Sequence, residues 1–451
     1  MIWLIAFISS IAGFLFGFDE GITSGVLESI QKDFQLTEYK TGVMMGLLPF
    51  GALIAALVTG KISDWIGRLK TLYMVAILFA LATLIIIITD SFVLLCMMRL
   101  VLGISIGMSV VATPLYIAET APAKIRGKLV TCFQLAITVG ILASYIANWL
   151  IVGVFHWRLA FALGLIPSTA LLIGLFFLPE SPRWLYSHGR KKEASDILTK
   201  LLGEQESNTA IHHHIKDMED VLRQEKKTSA SKELFSKKFA PSLVLGLGLF
   251  FFQQVSGINA IIYYAPIIFD SMKLGSDTTQ LLATVGLGTV NVLMTFLAMR
   301  WVEKMGRRPV LIMGFIGVIT SLAIVAFMNY FMPGTATWLS AVALFLFIAS
   351  FALSLGPMPY IFASEIFPMK ARGLGMSLSA ASNWAFTTLV VGTFPIFIKQ
   401  LGISGVFSIY GVLSVIGLLY TIYFAPETKG IALEKIEEHL MAGKPLKDLG
   451  R

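Results

Sequence analysis

Residues 71–89 read TLYMVAILFALATLIIIIT, a run of nineteen residues without a charged side chain. At 1.5 Å per residue a helix of this length spans about 30 Å, the thickness of the hydrocarbon layer of a membrane. In a water-soluble protein such a helix would need most of its surface covered, and comparable runs recur along the whole chain. We therefore expect a transmembrane helix at this position.

The composition extends this expectation to the whole chain. Of 451 residues, 56% are hydrophobic and only 14% are charged, and the mean hydropathy is +0.79. In soluble domains about a quarter of all residues are typically charged. The net charge of +8 does not indicate nucleic acid as a partner, because the basic residues form short clusters between apolar runs. We predict an all-α polytopic membrane protein.

Twelve apolar runs, six on each side of a long polar segment, predict twelve transmembrane helices. We place them at residues 2–26, 41–62, 71–89, 92–117, 130–151, 157–178, 240–269, 279–301, 310–331, 337–363, 374–398 and 403–424. The polar segment contains KKEASDILTKLL (191–202) and HHHIKDMEDVLRQEKK (212–227), whose apolar spacing predicts short amphipathic helices. The predicted domains are a first half (1–178), a linker (179–239), a second half (240–425) and a tail (426–451).

The positions of Lys and Arg predict the orientation. Of 35 such residues, 29 lie in the polar segment, the tail and the loops after the second, fourth, eighth and tenth spans, five lie on the other side, and the remaining one, Arg99, lies near a span. By the positive-inside rule both termini and the linker are cytoplasmic. The chain begins with an apolar run and no basic region, so we expect a first span and not a secretory signal, in a multi-pass inner-membrane protein.

Three motif pairs recur between the two halves. ETAPAKIRG starts at Glu119 and EIFPMKARG at Glu365, PESPRW and PETKG carry Glu180 and Glu427, and DWIGRLK and EKMGRR follow the second and eighth spans. Their offsets are 246, 247 and 239 residues. A near-constant interval predicts two six-helix halves related by an axis along the membrane normal, with a binding site between them at the midplane.

The same motifs pair acids with bases, which predicts a cytoplasmic charge network that bridges the halves when that side is closed. If the motifs were orientation signals only, the repeated acids would have no explanation. The predicted network consists of Asp64, Arg68, Glu119, Arg126, Glu180, Arg183, Glu303, Arg307, Arg308, Glu365, Arg372 and Glu427.

Over essentially its whole length the chain resembles the sugar porter family of the major facilitator superfamily. The resemblance is carried, in order, by GFLFGFDEGITSG, GRLK, RLVLGISIG, PLYIAETAPAKIRG, PESPRW, QQVSGINAIIYYAP, EKMGRRP, GPMPYIFASEIFP, ARG, SNW and PETKG. The most similar kinds are bacterial sugar/proton symporters for xylose, galactose or glucose, and animal glucose facilitators. The resemblance implies the major facilitator fold, a monosaccharide and protons as partners, a monomer, no cofactor and no enzymatic activity. Leu69 in GRLK departs from the second arginine usual in that motif, which weakens one expected bridge.

Carboxamides in the seventh span suit a sugar, because they donate and accept hydrogen bonds as hydroxyls do. Gln253, Gln254 and Asn259 lie within one broad sector of a helix, and Gly257 between them allows that helix to relax. From the residues alone, bonding between neighbouring helices explains these amides equally well. The resemblance favours sugar binding, and it adds Gln134, Asn291 and Asn383 as contacts, Phe16 and Trp384 against the ring, and Tyr263 and Tyr264 as gate residues.

The tenth span departs from the family pattern. Most relatives have Trp at the end of the GPxxW motif, whereas this chain has GPMPY with Tyr360. A tyrosine keeps a ring but is smaller and adds a hydroxyl. Pro357 and Pro359 each remove a backbone donor, so we expect an irregular helix at Gly356 that lines the site and serves as a hinge.

Asp19 follows a long apolar run in the first span, where an ionised carboxylate costs about 2.5 to 3.5 kcal/mol and needs a partner or a proton. Arg99, at the start of the fourth span, is the expected partner. An opposite charge favours the ionised carboxylate and burial favours the neutral one, so small movements would load or release a proton. The alternative is a static pair that orients the two spans. Proton-coupled relatives have Asp here and animal facilitators have Asn. Glu20 either shares this titration or faces the outer water.

None of the six histidines lies well inside a span, so a histidine relay is not expected. His212, His213 and His214 lie on a solvated helix face rather than at a metal site, and Cys96 and Cys132 are packing residues. We predict a proton-coupled symporter for a hexose or a pentose. An uncoupled facilitator is the nearest alternative, and a sensor is disfavoured by the short tail. No nucleophile, base and orienting group stand together as in an enzyme.

Overall fold

The computed structural model describes residues 1–121, 125–151, 156–202, 234–236, 238–333, 337–368, 371–431, 433–442 and 444–449. The described residues form helices and connecting turns, with no β-strand among them, which confirms the all-α prediction. The first six spans and the linker contain α1 (Ile2–Phe34), α2 (Glu38–Ile66), α3 (Arg68–Ile88), α4 (Phe92–Thr120), α5 (Arg126–Ile151), α6 (Trp157–Ala162), α7 (Leu165–Leu175), α8 (Pro182–Ser187) and α9 (Lys191–Leu202).

The second half continues the series after the linker. Its elements are α10 (Ala240–Val255), α11 (Ile258–Ser271), α12 (Asp277–Met305), α13 (Arg307–Phe331), α14 (Thr337–Ser350), a π-helical turn (Phe351–Leu355), α15 (Met358–Ile366) and α16 (Arg372–Phe424), followed by α17 (Leu433–Met441) and a 3₁₀ turn (Leu446–Asp448). The predicted helix at 191–202 is present as α9. The predicted helix at 212–227, with its three histidines, lies outside the described residues.

The last two predicted spans follow each other directly within the 53 residues of α16. A straight helix of that length would be about 80 Å long, far more than a membrane requires. Its backbone leaves the helical region at Gly402, with φ 65° and ψ 176°. Residues on both sides of Gly402 reach the same part of α10: Ser382 bonds to Leu247 O and Tyr420 bonds to Val244 O. The chain therefore reverses at Gly402, and the eleven long apolar helical segments among the described residues make twelve crossings.

Several helices differ in extent from the apolar spans predicted for them. The first span, predicted to end at residue 26, continues to Phe34. Its extra turns carry Glu28 and Lys32, an exposed pair at i and i+4 with charges 3.7 Å apart, which stabilises a helix in water. The sixth span, predicted as one helix to residue 178, is divided into α6 and α7, because Pro167 cannot donate a hydrogen bond one turn back.

The helices pack into two six-helix halves. In the first half α1 lies along α5 and α2 along α4, and in the second α10 and α13 pack against α16. The halves meet where α2 packs against α16, α5 against α12, and α1 against α11. We call the end of the bundle that carries α8, α9 and α17 the basic end, and the other the opposite end.

The halves are packed together at the opposite end. A Cβ placed on Gly42 of α2 would lie 2.1 Å from the carbonyl oxygen of Gly392 in α16. Tyr145 of α5 donates a hydrogen bond of 2.8 Å to the carbonyl of Ile262 in α11. Lys399 and Glu38 form an ion pair across the same seam. This conformation is therefore closed at the opposite end.

Candidate functional site

A cluster of carboxamides lies in the second half, near the middle of the bundle. Asn383 of α16 donates a 2.8 Å hydrogen bond to Oε1 of Gln253, and Gln253 donates through Nε2 to the carbonyls of Leu355 and Gly356. Both side chains are buried, with exposures of 6% and 3%. The cluster thus joins the seventh span to the tenth and the eleventh.

Asn259 extends this cluster. Its Nδ2 donates to Oε1 of Gln254 at 2.7 Å and to the hydroxyl of Thr387 at 3.2 Å. Thr387 was not predicted as a site residue, although its spacing of four residues after Asn383 places both on one face of α16. Four of the six predicted amides therefore lie together with one unpredicted hydroxyl.

The break in the seventh span positions these amides. Helix α10 ends at Val255 and α11 begins at Ile258, and Gly257 between them has φ 93°. A Cβ on Gly257 would lie 2.4 Å from the ring of Tyr410. Glycine is the residue that adopts this backbone conformation without strain and also leaves room for the tyrosine. The break places Gln253 and Gln254 on one helix and Asn259 on the next.

The tenth span is irregular, as its prolines predict. The π-helical turn ends with the N–H of Gly356 bonded to the carbonyl of Phe351 at 2.8 Å. Beyond it, Tyr360 packs edge-on against Phe250, with ring centroids 4.7 Å apart. The side chain of Tyr360 is 39% exposed, so a face of it remains uncovered beside the amide cluster.

Aromatic rings from both halves meet at the site. Phe16 of α1 and Trp384 of α16 have centroids 5.5 Å apart and planes tilted by 51°. Trp384 follows Asn383 directly, so one turn of α16 carries both a ring and an amide of the predicted site. A ligand between the halves would meet apolar ring surface on one side and carboxamides on the other.

Two predicted contacts, Gln134 and Asn291, make no hydrogen bond with the cluster among the described residues. Gln134 is exposed on α5, and its spacing of eleven residues from Tyr145, about three turns, places both on one face of the helix. Asn291 of α12 lines a small cavity with Tyr145 and Ile262 where the halves meet. Neither amide is therefore bonded to the other four in this conformation, and the place of both in the site stays a prediction.

The first span carries a buried ion pair. Nη1 of Arg99 donates to both carboxylate oxygens of Asp19, at 3.1 and 2.9 Å, and to the hydroxyl of Thr23 at 3.1 Å. Asp19 is 2% exposed and Arg99 is 1% exposed. Nε and Nη2 of Arg99 are buried without a hydrogen-bond acceptor among the described residues. The guanidinium group thus retains unused donors beside Asp19.

The predicted gate tyrosines lie between this pair and the opposite end. Tyr263 is fully buried, and its hydroxyl faces the carboxylate of Glu20 without the geometry of a formed hydrogen bond. Tyr264 donates to the carbonyl of Val391 at 2.7 Å and stacks on Phe394. Tyr264 also lines a cavity of about 520 Å³ at the opposite end. Tyr145, which the sequence analysis missed, closes the same region through its bond to Ile262.

The charges at the basic end form two matching networks, one in each half. Arg68 pairs with Glu119 at 2.8 Å and with Asp64 at 2.9 Å. Glu180 accepts hydrogen bonds from the backbone N–H groups of Arg68 and Leu69. Burial raises the pKa of the Glu180 carboxyl, although these donors act in the opposite direction.

The second half repeats this arrangement. Arg307 pairs with Glu365 at 3.0 Å, and Glu427 accepts from the backbone N–H groups of Arg307 and Arg308. Ser181 donates to Glu119 as Thr428 donates to Glu365. These pairs lie within the halves in this conformation, so the bridging predicted for a state closed at the basic end stays a prediction.

Four further members of the predicted network complete the set. Arg183 and Arg372 both take part in interactions, and the side chains of Arg126 and Glu303 lie outside the described residues. In the described part of the chain no three His, Cys, Asp or Glu residues are grouped as metal ligands would be.

Twelve crossings in two matching halves around a central polar cluster define a helical membrane transporter of the major facilitator type. The chain belongs to the family described as sugar (and other) transporters, whose sequence model matches residues 5–440. Members of this family are transporters, so the protein is an integral membrane transporter and not an enzyme.

Similar proteins come from several bacteria. The galactose-proton symporter of Escherichia coli is 34% identical, with 100% of this chain and 97% of that protein aligned. The glucose transporter GlcP of Staphylococcus epidermidis is 35% identical over 97% of each chain. The putative metabolite transport protein YwtG of Bacillus subtilis is 38% identical over 97% of this chain and 95% of that protein.

Solved structures of the E. coli xylose transporter XylE share the fold. A partially occluded inward-open conformation superposes with a TM-score of 0.84 at 28% identity, covering 96% of this chain and 99% of the other. XylE bound to 6-bromo-6-deoxy-D-glucose, described as a proton:xylose symporter, gives 0.81 at 30% identity, covering 97% and 98%. These matches confirm the predicted major facilitator fold.

Proposed function

We propose that this protein imports a monosaccharide together with a proton by alternating access. The observation that carries the proposal is the Asp19–Arg99 pair, a carboxylate and a guanidinium buried to 2% and 1% exposure. A centrally placed ionised carboxylate costs about 2.5 to 3.5 kcal/mol unless a partner or a proton neutralises it. Asp19 therefore has two ways to remain neutralised, by Arg99 or by a proton.

The sugar site comprises the amide cluster and the two rings beside it. Gln253, Gln254, Asn259 and Asn383 offer donors and acceptors, while Phe16 and Trp384 cover the apolar face of a sugar ring. Gln134 and Asn291 join the site when the halves move. Relatives are named for galactose, glucose and xylose, so we propose a hexose or a pentose, with the hydroxyl of Tyr360 contributing to the choice.

The cycle alternates the two ends of the bundle. Asp19 takes a proton while the opposite end is open, sugar binding favours closure there, and opening of the basic end restores the Asp19–Arg99 pair. Tyr263 and Tyr264 form the gate at the opposite end, and the repeated charge pairs form the gate at the basic end. A moved charge contributes about 2.3 kcal/mol per 100 mV of membrane potential.

We also propose where the protein lies and how it assembles. Both termini and the linker lie on the cytoplasmic side of the inner membrane, since the basic residues are concentrated at that end. The protein acts as a monomer, because each chain contains both halves of its own site.

Sugar-induced proton uptake in proteoliposomes tests the mechanism, with glucose, galactose and xylose each offered to the wild type and to Asp19→Asn. We expect the wild type to alkalinise the external medium with one of these sugars. The variant should lose accumulation against a gradient and keep exchange of sugar, because its amide cluster is unchanged. Glu28→Gln, on the same helix but paired with Lys32 at the surface, is the matched control and should accumulate sugar normally.

Two outcomes would contradict the proposal. If wild type and Asp19→Asn both move sugar downhill without proton flux, the protein is a facilitator and Asp19 is structural. If neither moves any of the three sugars, the substrate belongs to another class.

A further inference from the structure

A second carboxylate, Glu20, lies beside the Asp19–Arg99 pair and has no role in the mechanism above. It is 3% exposed on α1. Its neighbouring charge on the same helix is Asp19, and Arg99 of α4 is the cationic group near it. Tyr263 of α11 faces it, and Tyr145 of α5 and Tyr360 of α15 lie close enough to be influenced by its charge.

The formal charges of this cluster do not balance. Asp19 and Glu20 together carry two negative charges when ionised, and Arg99 carries one positive charge. The hydrogen bonds of Arg99 go to Asp19 and Thr23 through one nitrogen, and its two other guanidinium nitrogens have no acceptor among the described residues. The guanidinium therefore does not bond to Glu20. An uncompensated buried charge is strongly unfavourable, so the closed conformation requires that Glu20 carry a proton.

Glu20 also lies between the two halves. It belongs to the first half, whereas Tyr263, which it faces, belongs to the second half and is fully buried. The same region contains the bond from Tyr145 to the carbonyl of Ile262, one residue before Tyr263. When the halves separate at the opposite end, α1 and α11 part and water reaches Glu20, so that the ionised form is no longer penalised there.

We propose that Glu20 is a proton-operated latch, a second protonation site whose neutral form permits the halves to close at the opposite end against Tyr263. The inference rests on the proposed alternating access, and it concerns closure rather than the proton that travels with the sugar. Closure takes up a proton, and therefore a lower pH favours the closed state. Because the two states differ by one proton, the ratio of closed to open protein rises by up to about tenfold for each unit by which the pH falls.

The distance across the seam measures this equilibrium without any sugar. Tyr39→Cys and Leu401→Cys place spin labels on exposed positions beside the Glu38–Lys399 pair, one in each half. Cys96→Ala and Cys132→Ala remove the free thiols of the background. Pulsed electron-spin resonance on reconstituted protein, between about pH 5 and about pH 9, then gives the fractions with short and long distances.

In the background protein the short-distance fraction should rise as the pH falls. Glu20→Gln should keep that fraction high and should flatten its pH dependence, because a neutral amide occupies the latch at every pH. Glu28→Gln on the same helix should behave like the background. Asp19→Asn should retain a pH dependence, and adding Glu20→Gln to it should abolish what remains.

Tyr263→Phe provides a second variant in case Glu20→Gln does not insert. Loss of the hydroxyl removes a potential donor to the ionised carboxylate, so the pH dependence should persist and its midpoint should move to higher pH. A background protein without pH dependence would overturn the proposal, as would a Glu20→Gln variant that keeps it. Because the readout needs no transport, failure of the latch is distinguishable from failure of sugar or proton transport.

Discussion

Asn383 is the residue at which the proposed sugar site is most sensitive to a single change. It donates to Oε1 of Gln253 at 2.8 Å from a buried position, so its removal leaves that oxygen with only the longer bond of 3.5 Å from Gln254. We expect Asn383→Ala to weaken sugar binding by about 10- to 100-fold, in line with the 1 to 3 kcal/mol of an unsatisfied buried group. Isothermal titration of the purified protein with its sugar measures this change.

Asn329→Ala is the matched control for that measurement. Asn329 also donates through its amide, to Val325 O and to the hydroxyl of Ser340, but it lies in α13 at the opposite end, away from the cluster. Its sugar affinity should equal that of the wild type. Equal losses in the two variants would show that the amide cluster of Asn383 has no specific part in binding.

For single residues, the sequence predicted which side chains belong to the candidate site better than it predicted the contacts they make. The pairing of Asp19 with Arg99 was predicted from their positions in apolar runs, because a charged side chain in hydrocarbon is costly unless an opposite charge or a proton neutralises it. Thr387 and Tyr145 were missed, since threonine and tyrosine are common in membrane helices and neither residue type by itself indicates a binding site. Gln134 is exposed on α5 and its place at the site stays a prediction, because its position relative to the cluster depends on how far the halves have separated, which no local pattern encodes.

Among the helices, the break between α10 and α11 is where a small change has the largest expected effect. Gly257→Ala would force a side chain into a backbone with φ 93° and place its Cβ 2.4 Å from the ring of Tyr410. Strain and overpacking together should destabilise the protein by more than about 1 kcal/mol. A thermal unfolding scan in detergent should therefore show a lower Tm than that of the wild type.

Gly60→Ala separates this effect from the general consequence of adding a methyl group. Gly60 lies inside α2, and a Cβ there meets no atom within 4 Å. Alanine favours a helix over glycine by about 1 kcal/mol, so this variant should be unchanged or more stable. A Gly257→Ala variant as stable as Gly60→Ala would mean that the break tolerates a side chain.

The sequence predicted the positions of the membrane-spanning helices from their hydropathy, but it did not predict where those helices end. Apolar length marks the part of a helix that crosses the membrane, but α1 continues to Phe34 in water, where pairing of Glu28 with Lys32 takes over. The irregular tenth span was predicted from Pro357 and Pro359, since a missing donor is a local property. The reversal at Gly402 within α16 was predicted only as a gap between two spans.

For the whole molecule, the duplicated motifs were the strongest evidence in the sequence. They predicted two halves, and the structure repeats their contacts, with Arg68 bonded to Glu119 as Arg307 is to Glu365. Which end is closed was not predictable, because the same charges serve both states. Closure at the opposite end depends on surfaces such as that between Gly42 and Gly392, where the two backbones approach closely because neither residue has a side chain.

This seam yields a prediction about the conformation of the entire protein. A Cβ on Gly42 would lie 2.1 Å from the carbonyl oxygen of Gly392, and backbone cannot yield as a flexible side chain can. Gly42→Val should therefore hold the halves apart at the opposite end and shift the population toward the state open there. The spin-label distance between positions 39 and 401 should lengthen at every pH, and net sugar uptake should fall because the cycle requires both closures. Gly60→Val, in the same helix with open space around it, should keep the short distance. If Gly42→Val keeps it too, the seam between α2 and α16 does not govern closure, and the contacts between α1 and α11 must do so instead.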